Sequence, residues 1–66
     1  MKIEYDQEAD AAYVYFIHPI KDKEAVRTSS VTENIFIDFD KNNKLLGLEI
    51  LNASRVMKKE LLLHTQ

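Results

Sequence analysis

The stretch "NIFIDFDKNNKLLGLEIL", residues 34–51, decides the fold. Ile35, Ile37 and Phe39 alternate with Phe36, Asp38 and Asp40; beyond a polar break, Leu46, Leu48 and Ile50 alternate with Leu45, Gly47, Glu49 and Leu51. A period of two marks β-strands, whose successive side chains point to opposite faces. A tight turn at Asn42 and Asn43 sets Phe39 against Leu46, Ile37 against Leu48 and Ile35 against Ile50, and a loop from Lys41 to Lys44 gives the same pairing. Both turns predict one register, and that register gathers these six large apolar residues on one face. Asparagine suits the break because it tolerates the left-handed backbone of tight hairpins.

Outward from this hairpin the chain reads as further short strands. "KIEY" (2–5) alternates polar and apolar, with Ile3 and Tyr5 on one face. "DQEAD" (6–10) reads as a turn. Ala12 to Ile17, "AYVYFI", is aromatic and β-branched and apolar on both faces, so it predicts a central strand or one covered by a partner. Pro19 ends it, because proline cannot donate to a sheet ladder. "AVRTSSV" (25–31) predicts a weaker strand of edge character, and "TEN" (32–34) the next turn. From residue 52 the period becomes helical: Ala53, Val56, Met57 and Leu61 recur on one stripe, with Arg55, Lys58 and Lys59 on other faces and Asn52 or Ser54 as the cap. Leu62 and Leu63 extend the apolar surface, either closing the core or meeting a second chain. The expected architecture is a single α+β domain over residues 1–66: a small antiparallel β-meander of four to five strands, then a C-terminal helix packed on one face.

A chain of 66 residues is near the lower limit for a self-sufficient core. Such cores supply ~3–5 kcal/mol at most unless a disulfide, a metal or a partner chain helps. There is no cysteine, which excludes disulfides, thiolate metal sites and cysteine catalysis. A homo-oligomer, a dimer in the simplest case, is therefore expected. The chain is 45% hydrophobic and 30% charged, a globular mixture. No apolar run approaches the ~18 residues of a membrane span. The first residues carry acids and no apolar signal core, so the expected location is cytoplasmic, with no membrane contact. The formal net charge of -2 argues against nucleic-acid binding, which needs a basic surplus.

Few residues are placed for chemistry. Asp6, Glu8 and Asp10 have the spacing of calcium-loop acids, but the glycine and final glutamate positions of such a loop fall on Ala11 and Ile17, and a hairpin turn explains the acids better. Asp38, Asp40, Asn42 and Glu49 match that loop more closely, and Asn43 can adopt the backbone its glycine supplies. The flanks have strand period rather than helical period, which favours a turn here too. His18 and His64 lack zinc spacing, and Ser29, Ser30 and Ser54 lie outside any nucleophile-elbow sequence. No cofactor and no catalytic residue are expected, hence no enzyme. Arg55, Lys58 and Lys59 read as a solvated face. Tyr13 and Tyr15 share one face of their strand, and either core packing or a contact surface accounts for them.

Two blocks carry a family resemblance. Tyr5, Asp6, Glu8 to Ala11, Tyr13, Val14 and Phe16 fit Y-D-x-E-A-D-A-x-Y-[IV]-x-[LF], and Gly47 to Ser54 fit G-[IL]-E-I-L-[DN]-A-S. Together they resemble the small prokaryotic family catalogued as domain of unknown function 2283. The chain departs from the usual pattern in its Asn42-Asn43 turn, where relatives carry glycine. The resemblance implies a small α+β domain and no settled activity; some relatives look like partners of small toxin-like proteins, which implies an antitoxin-like role. The function expected is a non-enzymatic interaction module. It would work as a homodimer or as a neutralising partner of a small basic protein, touching through Tyr13 and Tyr15 or through Leu62 and Leu63. The alternative is a small-ligand or divalent-cation binder built on Asp38, Asp40, Asn42 and Glu49.

Overall fold

The computed structural model describes residues 1–63; His64 lies outside the described residues. Among these, five strands and two short helices follow in order: β1 (Lys2–Asp6), β2 (Ala11–Tyr15), β3 (Arg27–Thr32), β4 (Ile35–Phe39), β5 (Leu45–Leu51), α1 (Ala53–Val56) and α2 (Lys59–Leu62). The α+β class and the antiparallel sheet are as the sequence implies. The strand order, β1-β2-β5-β4-β3, is not a sequential meander. The segment after β2 crosses to the far edge, so β5 enters between β2 and β4. The reason lies in the side chains. β2 and β5 both carry apolar residues on the core face, so they pair in the centre, and the serine- and threonine-rich β3 takes the edge.

The decisive hairpin folds nearly as its pattern predicts. Ile35 opposes Ile50 and Ile37 opposes Leu48, but Phe39 opposes Leu45 rather than Leu46. The turn is a three-residue loop, 41–43, intermediate between the two expected forms. Asn43 takes the left-handed conformation at φ 61, and Asp40 accepts hydrogen bonds on its Oδ1 from the backbone N–H of Asn42 (2.8 Å) and Lys44 (2.9 Å). A register shift between Asp38 and Phe39 then restores the predicted pairing. The carbonyl of Leu46, at this bulge, accepts from the N–H groups of Phe16 (2.9 Å) and Ile17 (3.4 Å), beyond the end of β2.

One face of the sheet is the core. Ala12, Val14 and Ile50 are buried there with Ala53, and Ile3, Tyr5, Ile35, Leu48, Met57 and Leu62 pack around them. The single expected helix is two, because the chain is extended at Met57 and Lys58 (ψ 149 and 139). Such short helices draw their stability from packing rather than from propensity. The break makes Leu62, not Leu61, the residue that reaches the core: Leu61 is exposed, as is Leu63 at 71%.

The expected helix cap is also different. Asn52 is in the left-handed region (φ 54) and caps nothing with its side chain, whose amide donates instead to Asn34 Oδ1 at 3.0 Å. Asp10, from the β1–β2 turn, supplies the cap. Its carbonyl accepts from Ala53 N (2.9 Å), its Oδ1 from Ser54 N (2.9 Å) and its Oδ2 from the Ser54 hydroxyl (2.7 Å). The Ala53 and Ser54 amides are ones that a helix start leaves without intrahelical partners. Tyr5 adds a fourth bond, its hydroxyl donating to Asp10 Oδ1 at 2.7 Å.

These bonds hold the Asp10 carboxyl below its ordinary value of 3.8, the Ser54 hydroxyl contributing most, then Tyr5 and the Ser54 amide. A carboxyl whose pKa is lower folded than unfolded stabilises above the unfolded value, and that contribution is lost as pH falls through the folded value. Asp10→Asn is therefore expected to be less stable than wild type at neutral pH. The difference should shrink as pH drops below about 4 and vanish at the acid end, as read from urea midpoints across pH.

Candidate functional site

The opposite face of the sheet carries the candidate site. Register places Lys2, Glu4 and Asp6 of β1, Tyr13 and Tyr15 of β2, Gly47 and Glu49 of β5, and Phe36 and Asp38 of β4 on it. The helices pack on the other side, so this face lacks their cover.

Tyr13 spans the middle of this surface. Its hydroxyl donates to Asp38 Oδ2 at 2.6 Å, reaching from β2 across β5 to β4. That reach depends on Gly47. A Cβ there would sit 2.5 Å from Tyr13 Cε1 and 2.6 Å from the Val14 carbonyl, closer than atoms pack. The glycine thus leaves the ring room to lie over the backbone. The other Asp38 oxygen, Oδ1, accepts from the Thr28 hydroxyl on β3 at 2.5 Å. One chain of hydrogen bonds therefore crosses four neighbouring strands.

Tyr15 forms a second, parallel set. Its hydroxyl donates to Glu4 Oε1 at 2.6 Å, and Lys2 Nζ lies 3.4 Å from Glu4 Oε2. The Lys2 ammonium is also 3.4 Å from His18 Nε2, and the His18 ring meets Tyr15 edge-on at 5.0 Å. The two tyrosine rings touch, with centroids 4.7 Å apart and planes tilted by 53°. Both phenols bond carboxylates, so both are harder to ionise than a free tyrosine. Partial burial is the main cause at Tyr13, with Asp38 second; the bond to Glu4 is the main cause at Tyr15. The Glu4 carboxyl is correspondingly lowered, chiefly by the Tyr15 hydroxyl.

The remaining sequence candidates are dispersed. Asp38 lies in the tyrosine network and Asp40 holds the β4–β5 turn, so these acids serve different parts of the chain. Among the described residues no three His, Asp or Glu side chains cluster in metal-binding geometry. Ser54 is bonded to Asp10, and Arg55, Lys58 and Lys59 are exposed. Leu62 belongs to the core cluster of its own chain, which sets it apart from Tyr13 and Tyr15 on the opposite side. Sequence reading placed both tyrosines on one face. It missed Glu4 and Thr28, which meet Tyr15 and Asp38 across the β1–β2 and β3–β4 pairs, and Gly47, whose contact with Tyr13 depends on β5 lying beside β2.

The arrangement defines a small α+β domain with one helix-covered face and one open, hydrogen-bonded tyrosine–carboxylate face. The chain belongs to the family described as "Protein of unknown function (DUF2283)", which matches residues 2–54. It is 40% identical over 58 residues to the uncharacterized protein MJ0789 of Methanocaldococcus jannaschii, an alignment covering 85% of this chain and 44% of that protein. The chain thus spans less than half the length of this relative. No solved structure matches it. The two blocks behind the family resemblance meet in space, because Asp10 of the first binds Ala53 and Ser54 of the second.

Gly47→Ala should cost about 1–3 kcal/mol, the range for an added methyl in a tight site, by urea denaturation. In an alkaline ultraviolet titration its Tyr13 should ionise nearer the ordinary 10.0 than wild-type Tyr13 does, because the ring is pushed off Asp38.

Proposed function

We propose that the chain is a non-enzymatic, cytoplasmic protein-interaction module that self-associates as a homodimer and offers its tyrosine face to a small basic protein, as a neutralising antitoxin does. The observation that carries this reading is the open sheet face with two tyrosines pinned by carboxylates. Tyrosine gives large contact area at low entropic cost, and pinning its hydroxyl lowers that cost further. The same face presents Glu4, Asp6, Asp38 and Glu49 against the single ammonium of Lys2, so its field selects a basic partner. The thin core supports self-association: among the described residues the buried hydrophobic side chains are Ala12, Val14, Leu46, Ile50 and Ala53. The described helices are four residues each, and none is long and apolar enough to cross a membrane. The cation-binding reading of Asp38, Asp40, Asn42 and Glu49 gains no support from a hairpin whose Asp38 and Asp40 already accept hydrogen bonds from their own chain.

Glu49 is exposed on this face, which makes it a clean probe. A partner isolated from native lysate is expected to be small and basic, and its binding to weaken with salt. Glu49→Lys should weaken that binding by roughly tenfold in calorimetry while leaving the fold intact by circular dichroism. A partner that binds Glu49→Lys as tightly as wild type, with no salt dependence, contradicts the proposal.

A further inference from the structure

The two edges of the sheet differ. β3 is blunted as a docking edge, since its register shifts between Ser30 and Thr32 and leaves Val31 57% exposed. β1 is an unbroken ladder against β2 with no bulge, and nothing in the sheet lies on its outer side. A regular edge strand is a template for another strand unless its side chains prevent pairing.

The β1 side chains permit one self-pairing in particular. We infer that β1 is the homodimer interface, pairing antiparallel with the same strand of a second copy about a two-fold axis at Ile3. This inference deepens the proposed self-association and rests on it. Opposed residues of an antiparallel pair point to the same side, so a two-fold axis normal to the sheet keeps like faces together. Centred on Ile3, the register sets Lys2 against the partner's Glu4 twice over, Ile3 against the partner's Ile3, and Met1 against the partner's Tyr5. Every opposition is either charge-complementary or apolar. Shifting the centre to Glu4 opposes Glu4 to the partner's Glu4, and shifting it to Tyr5 opposes Glu4 to the partner's Asp6. The first of these puts like charges together at the axis and sets Met1 against the partner's Gln7, although it also sets Lys2 against the partner's Asp6; the second puts like charges together twice.

The pairing also extends the core. Ile3 and Tyr5 pack on the buried cluster of their own chain, and across the axis they would meet their counterparts and join the two cores. Met1, 89% exposed in the single chain, would be covered by the partner's Tyr5. The helices of both copies would lie on one side of a continuous sheet and both tyrosine faces on the other, giving one doubled acidic surface.

The test uses charge reversal and mixing. Lys2→Glu makes the edge all acidic, and Glu4→Lys makes Lys2 and its neighbour both basic. Wild type is expected to be a dimer by light scattering at micromolar concentration. Each single variant should dimerise at least about tenfold more weakly, and an equimolar mixture should form a heterodimer, because each basic position then faces an acidic one. Wild type and both variants all dimeric would overturn this interface while leaving self-association standing. A monomeric wild type would overturn both. Amide exchange on wild type gives a readout free of any fold defect in the variants. The β1 amides that do not bond β2 should exchange slowly in concentrated solution and quickly on dilution; fast exchange at every concentration overturns the interface.

Discussion

Asp10 sits in the left-handed conformation (φ 50) at the end of the first turn and binds a segment more than forty residues away. Its carbonyl and both carboxylate oxygens meet Ala53 and Ser54, the first residues of α1, and Tyr5 steadies it from β1. A four-residue helix has no stability of its own, so its position is set by what holds its ends and what it buries. Asp10 holds the start, and Ala53, fully buried, is pressed onto Ala12, Val14 and Ile50. Met57 and Leu62 then follow onto the same face. The tie decides which side of the sheet is covered and, by the same act, which side is left open.

The open side is polar by design of its register rather than by composition. A sheet face left without cover needs neither large apolar area nor buried charge, and here tyrosines and carboxylates alternate across strands. Gly47 is the enabling residue: without a side chain at that point, Tyr13 reaches Asp38 two strands away. Pinned phenols make the surface rigid before any partner arrives, which reduces the entropy lost on contact. The surplus of carboxylates gives it a sign. Rigidity, aromatic area and acidity are the features on which the proposed recognition of a basic protein rests, and a dimer through β1 would present two copies of this surface side by side.

Much of this was legible in the sequence because its information is local. The period-two pattern from Ile35 to Ile50 gave the second hairpin and its core-face register, and the asparagine pair gave its turn, with Asn43 in the conformation expected. That Ile3 and Tyr5 share a face, that Tyr13 and Tyr15 share a face, and that β3 is an edge followed from the same logic, but that the two pairs lie on opposite faces depends on the register of the first hairpin, which the sequence leaves open. What was not legible is non-local. The bulge at Leu46 arises from a three-residue turn that leaves the count one short, and its carbonyl is satisfied by Phe16 and Ile17. The placement of β5 beside β2 depends on which apolar strands compete for the centre. The helical period of the tail was real, but Met57 and Lys58 break it so that Leu62 reaches the core. The three acids of "DQEAD" read locally as a turn, and Asp6 does serve it by accepting from Ala9 N at 3.2 Å. Only the folded chain reveals that Asp10 is the cap of a distant helix.

The most direct test of this account is amide hydrogen exchange at Ala53 and Ser54 in Asp10→Ala, followed by NMR beside wild type. If the Asp10 tie holds the C-terminal segment on the core face, those amides lose their protection while the β2 and β5 amides keep most of theirs. Unchanged protection at Ser54 would contradict the account, since the segment would then be held in place by its packing and the Asp10 carbonyl without the carboxylate.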